Sequence, residues 1–525
     1  MQEELFYGGP ILTMDRQQKA EALLMRGNRI AAVGCMAEVE SAAAPDARRT
    51  NLHGSALLPA FIDPHSHLMG VASSLLRASL TEADSYDAIA RALRTYMEES
   101  KLPAGAWLNG AGYDTSRLAE KRTPDRHFLD TITPDRPAVI QHVSGHMGVF
   151  NTLALQQLGV TRDTPDPEGG RIGRDENGEP TGYMEENAFL NYLRKLPFGT
   201  QDELDTAIRR AQEIYASHGI ATCQEGMLIL ELAQLYQSWA QRGLLFLDVV
   251  GYASYVQRDE IRRILGGYVG GYKGNFRLGG DKMFLDGSPQ SRTAWLRKPY
   301  LGEPAEQGYP TMTDEQVFDA ICTDAADGTQ LLAHCNGDAA AEQFLTQIAN
   351  ARDAGARPWR PVMIHAQLLA PDQLPQVRRL GVIPSFFAAH VFHWGDLHLQ
   401  NLGPERVEHI SAAGSALREG IPFTFHQDSP VLPPDMLETL WVATQRLTSS
   451  GRLLGEDERI PMEEALRAVT LNAAYQYCEE GEKGSLRPGK RADLVLLSGD
   501  PLASPDPREL QVLRTIKAGD TIYEA

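Results

Sequence analysis

The sequence predicts an α/β protein: a parallel sheet with helices between its strands, joined to a small β-sandwich built from both ends of the chain. Three observations predict it. Short apolar runs alternate with helical patterns through the middle of the chain, the pattern of βα units. Both ends read as short strands separated by turns. Residues able to bind metal stand directly after several of the apolar runs.

At the start, Leu5-Phe6-Tyr7 precedes a Gly8-Gly9-Pro10 turn and Ile11 to Met14 follows. Leu23 to Arg26 and Arg29 to Val33 flank Gly27-Asn28, which predicts a hairpin. At the far end, Ala492 to Leu497 and Thr515 to Ala518 read as strands, and Gly519-Asp520 turns the chain into Thr521 to Tyr523. Neither end could bury a core alone. Residues 1–57 and 484–525 are therefore expected to pair into the sandwich. Residues 58–483 are expected to form the parallel domain. Its strands are read at Ala56 to Ile62, Phe276 to Leu285, Gln330 to Ala333, Pro361 to Ile364, Val382 to Phe387 and Pro422 to Phe425. Helical patterns fall at Glu315 to Ala326 and Ala341 to Ala354. The stretch around 75–270 is longer than βα units need and reads as an insertion, with a loop or hairpin at Thr161 to Thr181.

Bulk properties restrict the function. The chain has 525 residues, 42% hydrophobic and 23% charged, as in a soluble globular protein, with a net charge of -19. An acidic surface argues against nucleic acid and anionic membrane as partners. The first residues are acidic where an export signal would be basic, and no run approaches the roughly 20 apolar residues of a membrane span. Cys35, Cys223, Cys322, Cys335 and Cys478 are scattered and form no CxxC. The expectation is reduced thiols and a cytoplasmic location. The expected partner is a small-molecule substrate, and a homodimer is the assembly left open.

The chemistry begins at Asp63-Pro64-His65-Ser66-His67, directly after the apolar run ending at Ile62. Two histidines at i and i+2 on an extended segment point to one side, so both can reach one metal. Either could instead be a surface histidine in a turn. His334, His365 and Asp428 each stand just after a later apolar run. In a closed parallel barrel such residues converge on one rim. Lys282 lies inside a strand pattern, where a lysine is uncommon. It is either an edge lysine or a buried amine, neutral enough to react with CO2 and give an anionic two-oxygen ligand.

These pieces, with Leu58 to His67, Ser144-Gly145-His146 to Asn151, Thr181-Gly182 to Glu186, Lys282 to Ser288, His334 to Ala339, His365-Ala366-Gln367, Asp428 to Val431 and Gly484 to Asp493, resemble the amidohydrolase superfamily, and within it the family-3 branch that includes N-substituted formamide deformylases. The resemblance implies a TIM-like (β/α)8 barrel with the terminal β-sandwich. It implies two divalent metal ions: His65, His67 and Asp428 on one, His334 and His365 on the other, bridged by N6-carboxylated Lys282 and a hydroxide. Zinc is the default from imidazole and carboxylate ligands, with iron and manganese open. The implied reaction is hydrolysis of a C–N bond by the bridging hydroxide, with Asp428 also shuttling the proton to the leaving nitrogen.

The substrate-binding candidates are His146, Glu186, Phe387, His390, His393 and Trp394. Core packing is the competing reading for the aromatics and for His146. Trp107, Tyr113, Phe386 and Phe392 are further aromatic candidates for the pocket, which suits a neutral amide such as an N-substituted formamide. Arg292 is the nearest cation that could clamp a carboxylate instead. His426 is expected behind the ligands. The alternatives are a deaminase, a cyclic-amide or ester hydrolase of the same superfamily, and a non-catalytic regulatory or binding protein on this fold.

Overall fold

The computed structural model describes residues 3–15, 19–100, 103, 105–196 and 199–525. The chain divides into two compact units, Met1–Met69 with Arg209–Ala525, and Gly70–Ile208.

In the first unit, eight strands of the described residues form one parallel sheet: β1 (Phe61–Ile62), β2 (Ile220–Leu228), β3 (Asp248–Ser254), β4 (Phe276–Phe284), β5 (Gln330–Cys335), β6 (Val362–His365), β7 (Ile383–Phe386) and β8 (Thr424–Phe425). They are hydrogen-bonded in chain order and every neighbouring pair is parallel. The sheet is curled, because the segments following its two outermost strands meet. The Asp428 N–H donates to the His65 carbonyl (3.3 Å) and the His67 N–H to the Ser429 carbonyl (2.8 Å).

Helices separate the strands where the sequence carries start and stop signals. The helix Asp314–Asp327 opens on a reciprocal cap between Thr313 and Gln316 and ends at Gly328, whose φ of 64° suits a residue without Cβ. β2 and β3 lie inside the stretch around 75–270 that the sequence sets aside as an insertion. The second compact unit begins near the expected point but ends at Ile208. The physical reason is that β2 is not an uninterrupted apolar run: Thr222, Gln224 and Glu225 are buried in it, so periodicity alone passes over it.

Strands from both chain ends pair in one sheet. Asp520–Glu524, Val512–Lys517, Leu494–Leu497, Ala56–Pro59, Glu3–Leu12, Lys19–Arg26 and Arg29–Gly34 form one sheet in that order, with Arg48–Asn51 added beside Glu3–Leu12. Residues from both ends, among them Phe6, Ile11, Leu23, Leu494 and Ile516, share one buried cluster. The run Ala56 to Ile62, read as one strand, serves two sheets. Ala56–Pro59 pairs with Leu494–Leu497, whereas Phe61 donates to the Gly219 carbonyl (2.9 Å) and opens the parallel sheet. Pro59, with no N–H to donate, stands near the switch.

The second unit is a mixed six-stranded sheet in the order Gly170–Arg174, Pro180–Glu186, Met147–Phe150, Ala138–His142, Leu108–Tyr113, Ala78–Ser79. The first two form an antiparallel hairpin within and just beyond the predicted Thr161 to Thr181 loop. Its helix Tyr86–Glu99 starts at Ser85, whose hydroxyl accepts the Ala88 N–H, and buries Ile89, Ala90 and Leu93.

Candidate metal centre

The six residues expected to hold metal all belong to the first unit and lie near the C-terminal ends of strands of the parallel sheet or just after them. Strand register sets their level. Lys282 lies two residues before the end of β4, Phe284 is paired with His334, and Cys335 with His365. The C-terminal ends of β4, β5 and β6 therefore place their donors at neighbouring heights. His365 and Asp428 have φ of 72° and 52°, a left-handed conformation that costs a non-glycine residue about 1–3 kcal/mol and clusters at functional sites.

The side chains converge. The His65 Nε2 lies 3.3 Å from the Lys282 Nζ and 3.4 Å from the Asp428 Oδ1. The same carboxylate oxygen is 3.4 Å from the His67 Nε2. The other oxygen is 4.0 Å from the His365 Nε2, which itself lies 3.1 Å from the His334 Nδ1. Ligand atoms of His65, His365 and Asp428 all fall within 4.8 Å of one another.

Electrostatics suit a cation there. Burial holds His65 and His365 well below the usual histidine range and His334 at about 4, so these imidazoles are neutral at neutral pH, the form that binds metal. Burial also pulls the Lys282 amine down to about 7. Burial alone would raise Asp428, but the hydrogen bond from His67 and the charges of His67, His426 and Lys282 outweigh it and keep the carboxylate ionised. His67 is the exception. Burial opposes its charge, yet Asp428 and Glu225 hold its pKa up at about 9. The extra proton thus lies between imidazole and carboxylate, where a cation would replace it. The Asp428 Oδ1 is buried and makes no closely formed hydrogen bond; the His65 and His67 Nε2 atoms stand off it at 3.4 Å. A buried carboxylate oxygen with two imidazole nitrogens standing off it at 3.4 Å fits a divalent cation.

The supporting residues include several that the sequence reading passed over. The Gln224 Oε1 accepts from the His65 Nδ1 (2.6 Å), and the Glu225 Oε1 is 3.5 Å from the His67 Nδ1. The Asp286 carboxylate accepts the N–H groups of Trp295, Asn336 and Gly337 and stands 3.8 Å from the His334 Nε2. His426 lies against His365. Its Nε2 is 3.1 Å from the His365 Nδ1 and its Nδ1 is 2.9 Å from the Ser385 Oγ. Gln224-Glu225-Gly226 lies inside β2, whose apolar pattern Thr222 interrupts, so the rule that singled out His334 and His365 passes over it.

Gly226 packs on His65. A Cβ there would lie 2.6 Å from the His65 Cε1 and 3.0 Å from the Ser66 carbonyl oxygen. Gly226→Ala is expected to destabilise by about 1–3 kcal/mol, the usual cost of overpacking a core, and to displace His65. Denaturant unfolding together with metal content checks this; an unchanged midpoint with full metal loading would contradict it.

The substrate candidates separate into three groups. Phe387 is buried with its ring 6.3 Å from that of His365 and 5.3 Å from that of His426, so it walls the cluster. His390 packs between Phe387 and Trp394 (4.5 and 4.6 Å) and stacks on the buried His398, its Nδ1 3.2 Å from the His398 Nε2. The His393 Nε2 faces the Glu438 carboxylate at 3.2 Å. His146 and Glu186 belong to the second unit, where both are exposed and the His146 Nδ1 lies 3.0 Å from the Glu186 Oε2. Tyr113 is fully buried in the core of that unit and Trp107 packs against another of its clusters. Phe386 is fully buried against Phe423. Tyr113 and Phe386 are packing residues in the units that hold them, because both are fully buried. Arg292 donates to Asn401 (3.0 Å) and lies 3.8 and 3.9 Å from Glu303 and Glu306.

A buried group of neutral imidazoles, a carboxylate and an amine at the C-terminal end of a parallel sheet defines a class of protein that can hold divalent cations for hydrolysis. Residues 49–523 match the amidohydrolase family, and the chain belongs to it. Membership implies a metal-dependent hydrolase. The chain is 29% identical over 543 residues to the Bacillus subtilis (strain 168) protein YtcJ, named as an amidohydrolase, covering 99% of both chains. It is 29% identical over 549 residues to N-substituted formamide deformylase of Arthrobacter pascens, covering 100% of this chain and 99% of that one. The crystal structure of an uncharacterized metal-dependent hydrolase from Pyrococcus furiosus superposes with a TM-score of 0.79 at 24% identity, covering 95% of this chain and 100% of that one; it bears on the fold alone. Among the described residues, no helix is long and apolar enough to cross a membrane.

Proposed function

We propose that this protein hydrolyses the C–N bond of a small neutral amide, with an N-substituted formamide or another N-acyl compound first in line. The observation that carries the reading is the buried Asp428 Oδ1, 3.4 Å from the Nε2 atoms of both His65 and His67, with the Lys282 amine 3.3 Å from the same His65 nitrogen. His65, His67 and Asp428 would hold one divalent ion, zinc by default, and His334 and His365 a second. Lys282 would lie between them as its carbamate, formed when the neutral amine adds to CO2 and gives up a proton. Its lowered pKa supports that step. The backbone bonds joining the ends of the curled sheet support a closed (β/α)8 barrel, and the cluster shared by both chain ends supports a sandwich beside it.

When bound, the ions would lower the pKa of water and polarise a carbonyl. The protein's own groups do the rest. Asp428, ionised at neutral pH, takes the proton of the attacking water and passes it to the leaving nitrogen. The Gln224 and Glu225 side chains and the His426–Ser385 pair hold the imidazoles in place. Phe387 bounds the cluster with an apolar face that suits an uncharged N-substituent. Arg292 is already surrounded by Glu303 and Glu306, which leaves it poorly placed to clamp a carboxylate.

A panel of N-benzylformamide-like amides, cyclic amides, esters and N-acyl amino acids tests the substrate class. Neutral formamides are expected to exceed charged N-acyl amino acids by about tenfold or more in kcat/KM, since an unpaired buried charge costs at least about 1–3 kcal/mol. The opposite preference would overturn the substrate class and leave the hydrolytic site standing.

A further inference from the structure

We infer that Gln224 and Glu225, consecutive residues of β2, set which nitrogen each imidazole of the His65-Ser66-His67 segment turns toward the cluster. Both are positioning residues. The inference depends on the metal-binding reading for its consequence, but the His65 tautomer itself follows from hydrogen bonding alone.

The His65-Ser66-His67 segment is laid along β2. The Asp63 N–H donates to the Thr222 carbonyl (2.9 Å), the Gly226 N–H to the Ser66 carbonyl (2.8 Å), and the Ser66 hydroxyl to the Gln224 carbonyl (3.4 Å). Gly226 lets the strand lie this close, as the clash of any Cβ with the His65 ring shows.

The orientation of the Gln224 amide is then fixed. Its Nε2 is 2.7 Å from the Pro64 carbonyl oxygen, which can only accept. The same nitrogen is 3.1 Å from the Tyr477 hydroxyl, whose own proton goes to the Asp63 carbonyl (2.8 Å). The NH2 group therefore points away from His65, and the acceptor Oε1 faces the His65 Nδ1 at 2.6 Å. That nitrogen must carry the proton. The lone pair is left on Nε2, the atom that faces Lys282 and Asp428.

Glu225 does the same for His67 by a different route. Its Oε2 accepts from the Met69 N–H (2.8 Å) and the Tyr236 hydroxyl (2.7 Å). Its Oε1 is left for the His67 Nδ1 at 3.5 Å. A carboxylate oxygen accepts, so the His67 Nδ1 turns its N–H toward Glu225 and Nε2 is the atom offered beside Asp428. The two imidazoles are thus backed unequally, one by a neutral amide and one by a carboxylate, which makes His67 the more basic ligand. The third imidazole differs again. His365 is backed by His426, which leads to the Ser385 hydroxyl, a group that donates or accepts and so leaves the direction open.

The test uses full-length protein labelled with 15N at histidine, zinc-free and with added zinc chloride, as wild type and as Gln224→Met, Glu225→Gln and Glu225→Asp. Long-range 15N–1H spectra read the His65 tautomer in zinc-free protein, with His65→Gln used only to assign the signal. His67 is read through zinc affinity by chelator competition. Wild-type His65 is expected protonated at Nδ1 and bare at Nε2, and Gln224→Met should show both forms. In Glu225→Gln the new amide oxygen is claimed by Met69 and Tyr236. Its NH2 group then faces the His67 Nδ1 and moves the ring proton to Nε2. Zinc affinity should fall about 10–100-fold in both variants, with partial recovery in Glu225→Asp, which keeps an accept-only group. If Gln224→Met fails to fold, Glu225→Gln, nearly equal in volume, carries the affinity arm. A wild-type His65 protonated at Nε2, or Glu225→Gln binding zinc within about twofold of wild type, would overturn the inference. Wild-type protein that takes up no divalent metal would overturn the metal-dependent reading instead, and the His65 tautomer would still decide this one.

Discussion

Lys282→Ala should lose its bound metal and nearly all turnover, the largest effect expected of any single change in this protein. Lys282 is 1% exposed, inside β4, with its amine 3.3 Å from the His65 Nε2. Burial makes the charged form of this amine costly to keep, and conversion to a carbamate would turn it into an anionic ligand. Turnover should fall about 10³-fold or more, since bound metal ions supply several kcal/mol and each 1.36 kcal/mol is about tenfold. Added short carboxylic acids, which can fill the gap left by the carbamate, should restore part of the activity and of the metal content. The pH dependence has a definite sign. The amine titrates near 7 in the folded chain against 10.5 ordinarily, so the unfolded chain binds more protons between those values. This group makes metal-free protein more stable as pH rises through that window, and Lys282→Met should remove that contribution. Mass spectrometry of intact metal-loaded protein, together with metal analysis, checks the carbamate. An unmodified amine in fully loaded, active protein would refute it.

Asp428→Asn should keep the fold but reduce kcat by about 10²–10⁴-fold, the usual weight of a positioned general acid–base group. An amide cannot accept the water's proton. The fold should survive because the backbone bond that helps join the sheet ends runs from the Asp428 N–H, which asparagine retains. Asparagine also tolerates the left-handed φ of 52° found here. KM should change far less than kcat, because the lost function belongs to proton transfer. Steady-state kinetics with matched metal content decide this. Turnover within about tenfold of wild type would remove Asp428 from the proton-transfer role.

The residues at the strand ends were legible in the sequence for one physical reason. In a parallel sheet the residue just after an apolar strand sits at the functional rim, so His65, His67, His334, His365 and Asp428 announce themselves by position. Lys282 announced itself by being out of place within a strand. What escaped has equally physical causes. β2 carries buried Gln224 and Glu225 among its apolar residues, so it did not read as a strand, and the side chains behind His65 and His67 went unseen with it. Tyr477, which fixes the Gln224 amide, lies 253 residues further along the chain; no local pattern connects them. Aromatic rings carry no mark of which face they serve. Phe387 walls the cluster, whereas Phe386, next to it in the chain, is packed against Phe423. The switch of partner sheets after Pro59 is invisible to periodicity because both sheets accept the same apolar run.

The central claim is that these side chains hold a pair of divalent ions. Anomalous diffraction at the zinc edge, from crystals of the wild-type protein loaded with zinc, measures it most directly. The expected result is two peaks, one among His65, His67 and Asp428 and the other between His334 and His365, with continuous density from Lys282 between them. Peaks confined to other residues, or no peak at this cluster in zinc-loaded crystals, would contradict the account.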